Sequence, residues 1–315
     1  MAVLPLIRVR HLSYTYLAHT PMAVAALHDV SFDVEAGEFV AILGPTGSGK
    51  STLVQHLNGL LRPRPGTVWV NGQDLGDRRT DLRKVRVQVG LLFQYPEHQL
   101  FEETVFQDVA FGPRSMGLAP DEVEQRVRRA LAWVGLDADE LGGRSPFELS
   151  GGQKRRVAMA GVLALGCQAL VLDEPTAGLD PGGRRELLDL LVRLNRRGMT
   201  IVMVTHDMDE AARVARRALV LADGRVVADA PVRELFAGSR ELLQRYGLDV
   251  PAVVDILHQL RARGAPVRVD RLTVDEAARE IAAWKLGRPA TVRDGVREGG
   301  AGPARRHHHR PVRRG

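Results

Sequence analysis

The run Gly44-Pro45-Thr46-Gly47-Ser48-Gly49-Lys50-Ser51 has the composition and spacing of a phosphate cradle. Glycines let the backbone curl until successive N–H groups converge on phosphate oxygens, and a helix starting near Gly49 adds its positive dipole end. Lys50 can reach the β- and γ-phosphates of a nucleoside triphosphate. The Ser51 hydroxyl can ligate Mg²⁺, and Thr52 follows it among the nucleotide-binding candidates.

Asp173 and Glu174 close the apolar run Ala169-Leu170-Val171-Leu172. The carboxyl ends of strands are where α/β sheets bind ligands. Asp173 there can hold Mg²⁺ with Ser51, and Glu174 can polarise a water in line with the γ-phosphate. Gln94, ending another short apolar run, can reach the same metal and water. His206, following Thr200–Val204, can contact the γ-phosphate. Alone, a glutamine before a loop or a histidine after a strand is more often structural; the cradle makes both candidates. Leu149-Ser150-Gly151-Gly152-Gln153 adds a hydroxyl and two glycine N–H groups at a helix start, a second anion site. One triphosphate needs one cradle, so a second on the same chain suggests that two copies complete each other's sites.

The elements that must position these residues are readable from periodicity. Phe39–Leu43 is a buried strand with a helix over 51–57 behind it. Residues 7–40 alternate as antiparallel strands around a loop near His19-Thr20-Pro21, and Thr67-Val68-Trp69-Val70 closes on an Asn71-Gly72 turn. Residues 89–93 form a short strand ending at Gln94. Pro120 opens a helix with acids in its first turn and Val123, Val127, Leu131 and Val134 on one face; Gly135 stops it. Another helix begins just after Ser150. Residues 169–172 and 200–204 read as buried parallel strands joined by a helix over 184–197, and Asp223-Gly224 as a hairpin turn. From Ser239 short amphipathic helices follow, clearest over 251–263 and over 273–285, where Thr273 and Glu276 form a capping box.

The 315 residues suffice for one large or two ordinary domains. The longest apolar stretch, 157–172, is broken by Gly161, Gly166 and Gln168 and falls short of the roughly 18 residues of a membrane span. Cys167 is the only cysteine, so neither an intrachain disulfide nor a cysteine-rich metal site is expected, which suits a reducing cytosol. The net charge of +6 is concentrated: from Gly287 onward eight arginines face only Asp294 and Glu298, leaving the body neutral by formal count. A neutral body is not the footprint of a duplex-binding domain, and no nucleic-acid partner is expected.

In order along the chain, Gly44 to Ser51, Gln94, Leu149 to Gln153, Leu170 to Glu174, Gly178-Leu179-Asp180 and His206 resemble the Walker A, Q-loop, signature, Walker B, D-loop and switch-histidine motifs of ABC transporter ATPase subunits. The resemblance spans roughly residues 7–235. It implies an α/β P-loop NTPase core with an antiparallel β subdomain, a helical subdomain at about 96–165 and a C-terminal helical extension. ATP and Mg²⁺ are the implied cofactors. Domain limits follow as 1–238 for the ATPase, 239–286 for the extension and 287–315 for an arginine-rich disordered tail. Tyr16 falls where the family places an aromatic that stacks on adenine, with Tyr14 the weaker candidate. More narrowly, Phe93-Gln94-Tyr95-Pro96-Glu97-His98-Gln99-Leu100-Phe101-Glu102-Glu103-Thr104-Val105 and Lys154-Arg155-Arg156-Val157-Ala158-Met159-Ala160-Gly161 are similar to the ATPases of energy-coupling factor (ECF) transporters, in wording to the second of that family's two types.

That resemblance implies an ATPase energising import of a vitamin or transition-metal ion, peripheral on the cytoplasmic face of the cell membrane. Its partners would be a second ECF ATPase (homo- or heterodimeric), a transmembrane coupling protein and a substrate-binding membrane subunit. The extension would help the ATPases pair through faces such as Val253, Ile256, Leu257 and Leu260. The apolar Tyr95, Leu100 and Phe101, ringed by Glu97, Glu102, Glu103 and Asp108, would dock the coupling protein. An ATPase of another metal or amino-acid importer is the competing reading. A soluble ABC protein of repair or translation lacks support, since the chain has neither a coiled-coil insertion nor a second cassette. His307-His308-His309, flanked by arginines, reads as part of a solvated tail rather than a metal site.

Overall fold

The computed structural model describes residues 4–286. The arginine-rich stretch 287–315, read from sequence as a disordered tail, lies outside the described residues, as does the His307–His309 run.

Alternation in the first forty residues produces a hairpin of β1 (Ile7–Tyr16) and β2 (Val24–Val34). It joins β4 (Val68–Val70) and β5 (Gln73–Asp74) in a four-stranded sheet ordered β2-β1-β4-β5. The continuous apolar runs build a second, six-stranded sheet. Its members are β3 (Phe39–Leu43), β6 (Val89–Leu92), β7 (Ala169–Asp173), β8 (Thr200–Val204), β9 (Arg217–Ala222) and β10 (Arg225–Pro231), ordered β10-β9-β3-β8-β7-β6. All neighbours run parallel except the edge hairpin β9–β10. Every residue of β3, β7 and β8 is buried, as strands covered on both faces must be.

Helix α1 (Lys50–Leu57) follows β3 and lies between the two sheets, packing Leu53, Val54 and Leu57 into one core with Ile7, Val30, Ile42 and Val202. The short α2 (Leu82–Gln88) leads into β6. A helical layer of α3 (Val105–Ser115), α4 (Pro120–Trp133), α5 (Ala138–Leu141) and α6 (Gly151–Ala164) is inserted between β6 and β7. Val109, Val127, Leu131, Val157 and Met159 bind it together and to the sheet through Leu170 and Ile201. Helix α7 (Pro181–Arg196) starts three residues earlier than the sequence suggests, because the Asp180 side chain caps it by accepting the Gly183 N–H. The short α8 (Met208–Val214) follows β8.

After β10 come α9 (Val232–Gly238), α10 (Arg240–Arg245), α11 (Ala252–Ala262) and α12 (Val274–Lys285), the last with the expected Thr273/Glu276 box. Of the apolar face read on α11, Val253 and Leu257 are turned inward, in one cluster with Ala41, Met208, Val220 and Phe236; Leu260 is partly buried and Ile256 is exposed.

Candidate active site

Four adjacent strands of the large sheet, β3, β8, β7 and β6, end on the same side and release Gly44, His206, Glu174 and Gln94. Register fixes them laterally: Ile42 pairs with Val204, Asp173 with Val204, and Leu92 with Leu172.

The loop after β3 is tightly enclosed. A Cβ on Gly44 would stand 2.1 Å from the Leu221 carbonyl oxygen, and one on Gly49, whose φ is 100°, 2.4 Å from that of Ala26. Both contacts are far inside van der Waals range and both obstacles are backbone, so only glycine fits. Gly49 caps α1 without a side-chain hydrogen bond, which leaves the first-turn N–H groups of α1 free of side-chain partners and aimed at the loop. The Lys50 ammonium donates to the carbonyl oxygens of Gly44 and Pro45, each at 2.8 Å, and closes the loop into a ring. The buried Ser48 hydroxyl has no partner, an orphaned donor inside a cradle that fits a phosphate group. Burial pulls the Lys50 pKa below its ordinary value, against the opposing charges of Glu174 and Asp173. Burial pushes the Asp173 carboxyl up, opposed by a hydrogen bond to Ser51.

Glu174 continues β7 through its N–H to the Val204 carbonyl (3.0 Å), but its φ is 47°. A glutamate in the left-handed region is strained and stays there only when its surroundings hold it. Its carboxylate oxygens meet the Gln94 amide at 3.3 Å and His206 Nδ1 at 3.2 Å. Ser51, Asp173 and Gln94 together offer the hard oxygen donors that suit Mg²⁺.

Tyr16 reaches this site from the other sheet. Its hydroxyl is 3.1 Å from that of Thr52, its ring is edge-on to Tyr14 at 4.9 Å, and it is 37% exposed. Tyr14 instead sits against the buried His56. Ser150, Gly151, Gly152 and Gln153 start α6 in the helical layer. Among the described residues, no hydrogen bond or ion pair ties them to residues 44–52. Ser150 and Gln153 form a reciprocal capping box, while both glycines are exposed. Pro45, Thr46 and Gly47 complete the loop, with Thr46 and Gly47 exposed at its open side and Pro45 half-buried.

Sequence reasoning missed two buried networks. Arg155, 3% exposed, forms an ion pair with Glu97, and Glu210 accepts hydrogen bonds from Thr176 and Thr205. The expected docking ring changes accordingly. Leu100 is buried, Glu97 is taken by Arg155, and Asp108 accepts the N–H groups of Phe101 and Glu102. What stays at the surface is Tyr95, together with Phe101, edge-on to exposed Phe111, beside half-buried Glu102 and exposed Glu103.

Comparison with known proteins gives a family model described as "ABC transporter" over residues 27–177. A curated relative in Symbiobacterium thermophilum, the energy-coupling factor transporter ATP-binding protein EcfA2, is 57% identical and covers 89% of this chain and 97% of its own length. The protein of that name in Caldanaerobacter subterraneus is 47% identical, with coverage of 89% and 98%. Among solved structures, cbiO1 of Clostridium perfringens, part of the ABC transporter complex cbiONQ, aligns with a TM-score of 0.69 and 37% identity over 82% of this chain and 100% of that one. A dimeric ATP-binding cassette in a post-hydrolysis state with ADP and Pi aligns at 0.63 and 31% identity, covering 72% and 98%.

Proposed function

Because the chain belongs to the ECF transporter ATP-binding proteins, a branch of the ABC transporter family, we propose a division of labour among its site residues. The protein is an ATPase that energises an ECF-type importer. Residues 44–52 wrap the phosphates of ATP through loop N–H groups, with Lys50 moving from its carbonyl partners to the β- and γ-phosphates and Tyr16 stacking on adenine. Ser51, Asp173 and Gln94 hold Mg²⁺, which when bound neutralises phosphate charge during transfer. Glu174 orients the attacking water and accepts its proton, while His206 holds Glu174 and the γ-phosphate in register. The observation that carries this assignment is the convergence of Gln94 and His206 on the Glu174 carboxylate.

Ser150, Gly151, Gly152 and Gln153 complete the site of a second ATPase rather than their own. Two features support this reading: the exposed start of α6 has no bonds to residues 44–52, and one structural neighbour is dimeric. ATP closes the pair head to tail, and hydrolysis reopens it. The partner ATPase is a second copy or a related ECF ATPase. The remaining partners are a transmembrane coupling protein, which grips Phe101, Phe111, Glu102 and Glu103, and a substrate-binding membrane subunit that selects a vitamin or transition-metal ion. Residues 239–286 form the extension that supports pairing. The chain works peripherally at the cytoplasmic face of the membrane; no helix among the described residues is long and apolar enough to cross one.

The test is the Glu174→Gln variant co-purified with its membrane complex. Removing a group that acts in the transition state lowers kcat without a matching loss of ATP binding. The expected result is retained ATP binding, hydrolysis reduced by about a hundredfold or more, and a trapped closed dimer. Hydrolysis at the wild-type rate would remove Glu174 from the role.

A further inference from the structure

Glu210 is a carboxyl group where the fold alone calls for an apolar one. It lies on α8, is 5% exposed, and forms no ion pair among the described residues. Its Oε2 accepts hydrogen bonds from two threonine hydroxyls, Thr176 at 2.8 Å and Thr205 at 3.1 Å. Both threonines are themselves buried, at 6% and 3% exposure. A buried carboxyl costs several kcal/mol unless its bonds repay it, and here the second oxygen, Oε1, has no partner at all.

The position of the two threonines gives the arrangement its meaning. Thr176 stands two residues after Glu174, in the turn that leaves β7; Thr205 stands immediately before His206, in the turn that leaves β8. One carboxylate oxygen therefore pins together the two turns whose neighbouring residues, Glu174 and His206, meet at 3.2 Å. The pin is itself fixed. The Glu210 N–H donates to the Asp207 carboxylate, and the Asp207 N–H donates to the same Thr205 hydroxyl oxygen. The turn held at Thr176 is also the one that keeps Glu174 at its left-handed φ of 47°.

We propose that Glu210 is a positioning residue for ATP hydrolysis, fixing the separation of the Glu174 and His206 turns through Thr176 and Thr205. The inference rests on the proposed roles of Glu174 and His206. Burial pushes the Glu210 carboxyl above its ordinary value, with Asp207 adding to the shift and the two threonine bonds opposing it. Only the acceptor oxygen matters to the pin, so an amide in place of the carboxyl preserves it.

The experiment compares Glu210→Met, Glu210→Gln, Thr176→Val and Thr205→Val in the full-length chain within its co-purified complex. It measures kcat for ATP and the affinity for a fluorescent ATP analogue. Methionine matches the volume without an acceptor, and valine matches threonine without a hydroxyl. The expected result is a kcat about tenfold or more lower for Glu210→Met, with nucleotide affinity changed less than about twofold, and kcat restored towards wild type in Glu210→Gln. Each valine variant should reproduce part of the loss, and combination with Glu210→Met should add little, because the three groups act as a unit. The proposal is overturned if Glu210→Met hydrolyses normally, or if Glu210→Gln is as impaired as Glu210→Met. If Glu210→Met fails to fold, the valine variants decide, and normal kcat in both overturns it. Glu174→Gln serves as control: loss of hydrolysis there with normal Glu210 variants sinks this inference alone, whereas normal hydrolysis in Glu174→Gln sinks the assignment beneath it.

Discussion

The Arg155 guanidinium grips the Glu97 carboxylate with paired hydrogen bonds of 2.8 and 3.0 Å. The same side chain donates to the carbonyl oxygens of Pro175 and Ala177 at 2.9 to 3.1 Å. One buried residue thus joins the start of α6, the segment after Gln94 and the exit of β7.

Breaking this pair leaves a half-buried charge without a partner. Arg155→Met should cost about 3 kcal/mol in denaturant unfolding. Burial alone would raise the Glu97 pKa, but the bonds from Arg155 outweigh it and hold the group below its usual 4.5. A depressed carboxylate contributes stability above its unfolded pKa and loses it as pH falls through the folded one. Arg155→Met should therefore show its full stability deficit above about pH 4.5, and the deficit should shrink as pH falls below that value and wild type loses the Glu97 contribution. A deficit that stays constant through this range would mean that Glu97 is not held by this pair.

Gly44→Ala and Gly49→Ala should each lower nucleotide affinity by about tenfold or more, since a methyl group meets backbone carbonyls that cannot rotate away. Lys50→Ala should weaken ATP binding by at least as much. Isothermal titration with ATP reads all three, and normal affinity in the glycine variants would show that the loop relaxes.

Several site residues were legible from sequence because local patterns identify them. The cradle, the acids after β7 and the box at Thr273/Glu276 depend on neighbours close in the chain, whereas the reciprocal box of Ser150 and Gln153 was not read. Arg155 was not legible: in Lys154-Arg155-Arg156 nothing local says which cation turns inward, and its partner is 58 residues away. Helix α3 was hidden by Pro113 within it and by Phe111 on its exposed side. The roles of Glu97 and Asp108 were misread because an acid that caps or pairs looks, in sequence, like one that waits for a partner.

Glu102→Arg and Glu103→Arg should leave nucleotide binding intact while membrane assembly or transport is lost. Like charges facing each other across an interface cost several kcal/mol. Partial rescue by a reversed charge on the coupling protein completes the test; normal assembly of both variants would place the dock elsewhere.

Pairing through the extension is best probed at its surface. Ile256 is 50% exposed and Trp284 37%, whereas truncation at residue 238 would strip Leu243, Val254 and Leu257 from the cluster that holds Phe236. Ile256→Asp should weaken association by about tenfold at an unchanged thermal midpoint. Truncation should lower that midpoint as well. Sedimentation that shows undiminished association of Ile256→Asp would exclude this face from the contact.

The strand order has a metric consequence. With β3, β8, β7 and β6 adjacent, the lateral positions of Gly44, His206, Glu174 and Gln94 are graduated by the spacing of hydrogen-bonded strands, about 4.8 Å. The sheet is a ruler, and the loops only mount groups on its marks. Segments between the marks, such as α3 to α5, are free to lengthen or drift in evolution. No strand can be inserted between β8 and β7 without carrying Glu174 away from His206, or between β7 and β6 without carrying it away from Gln94.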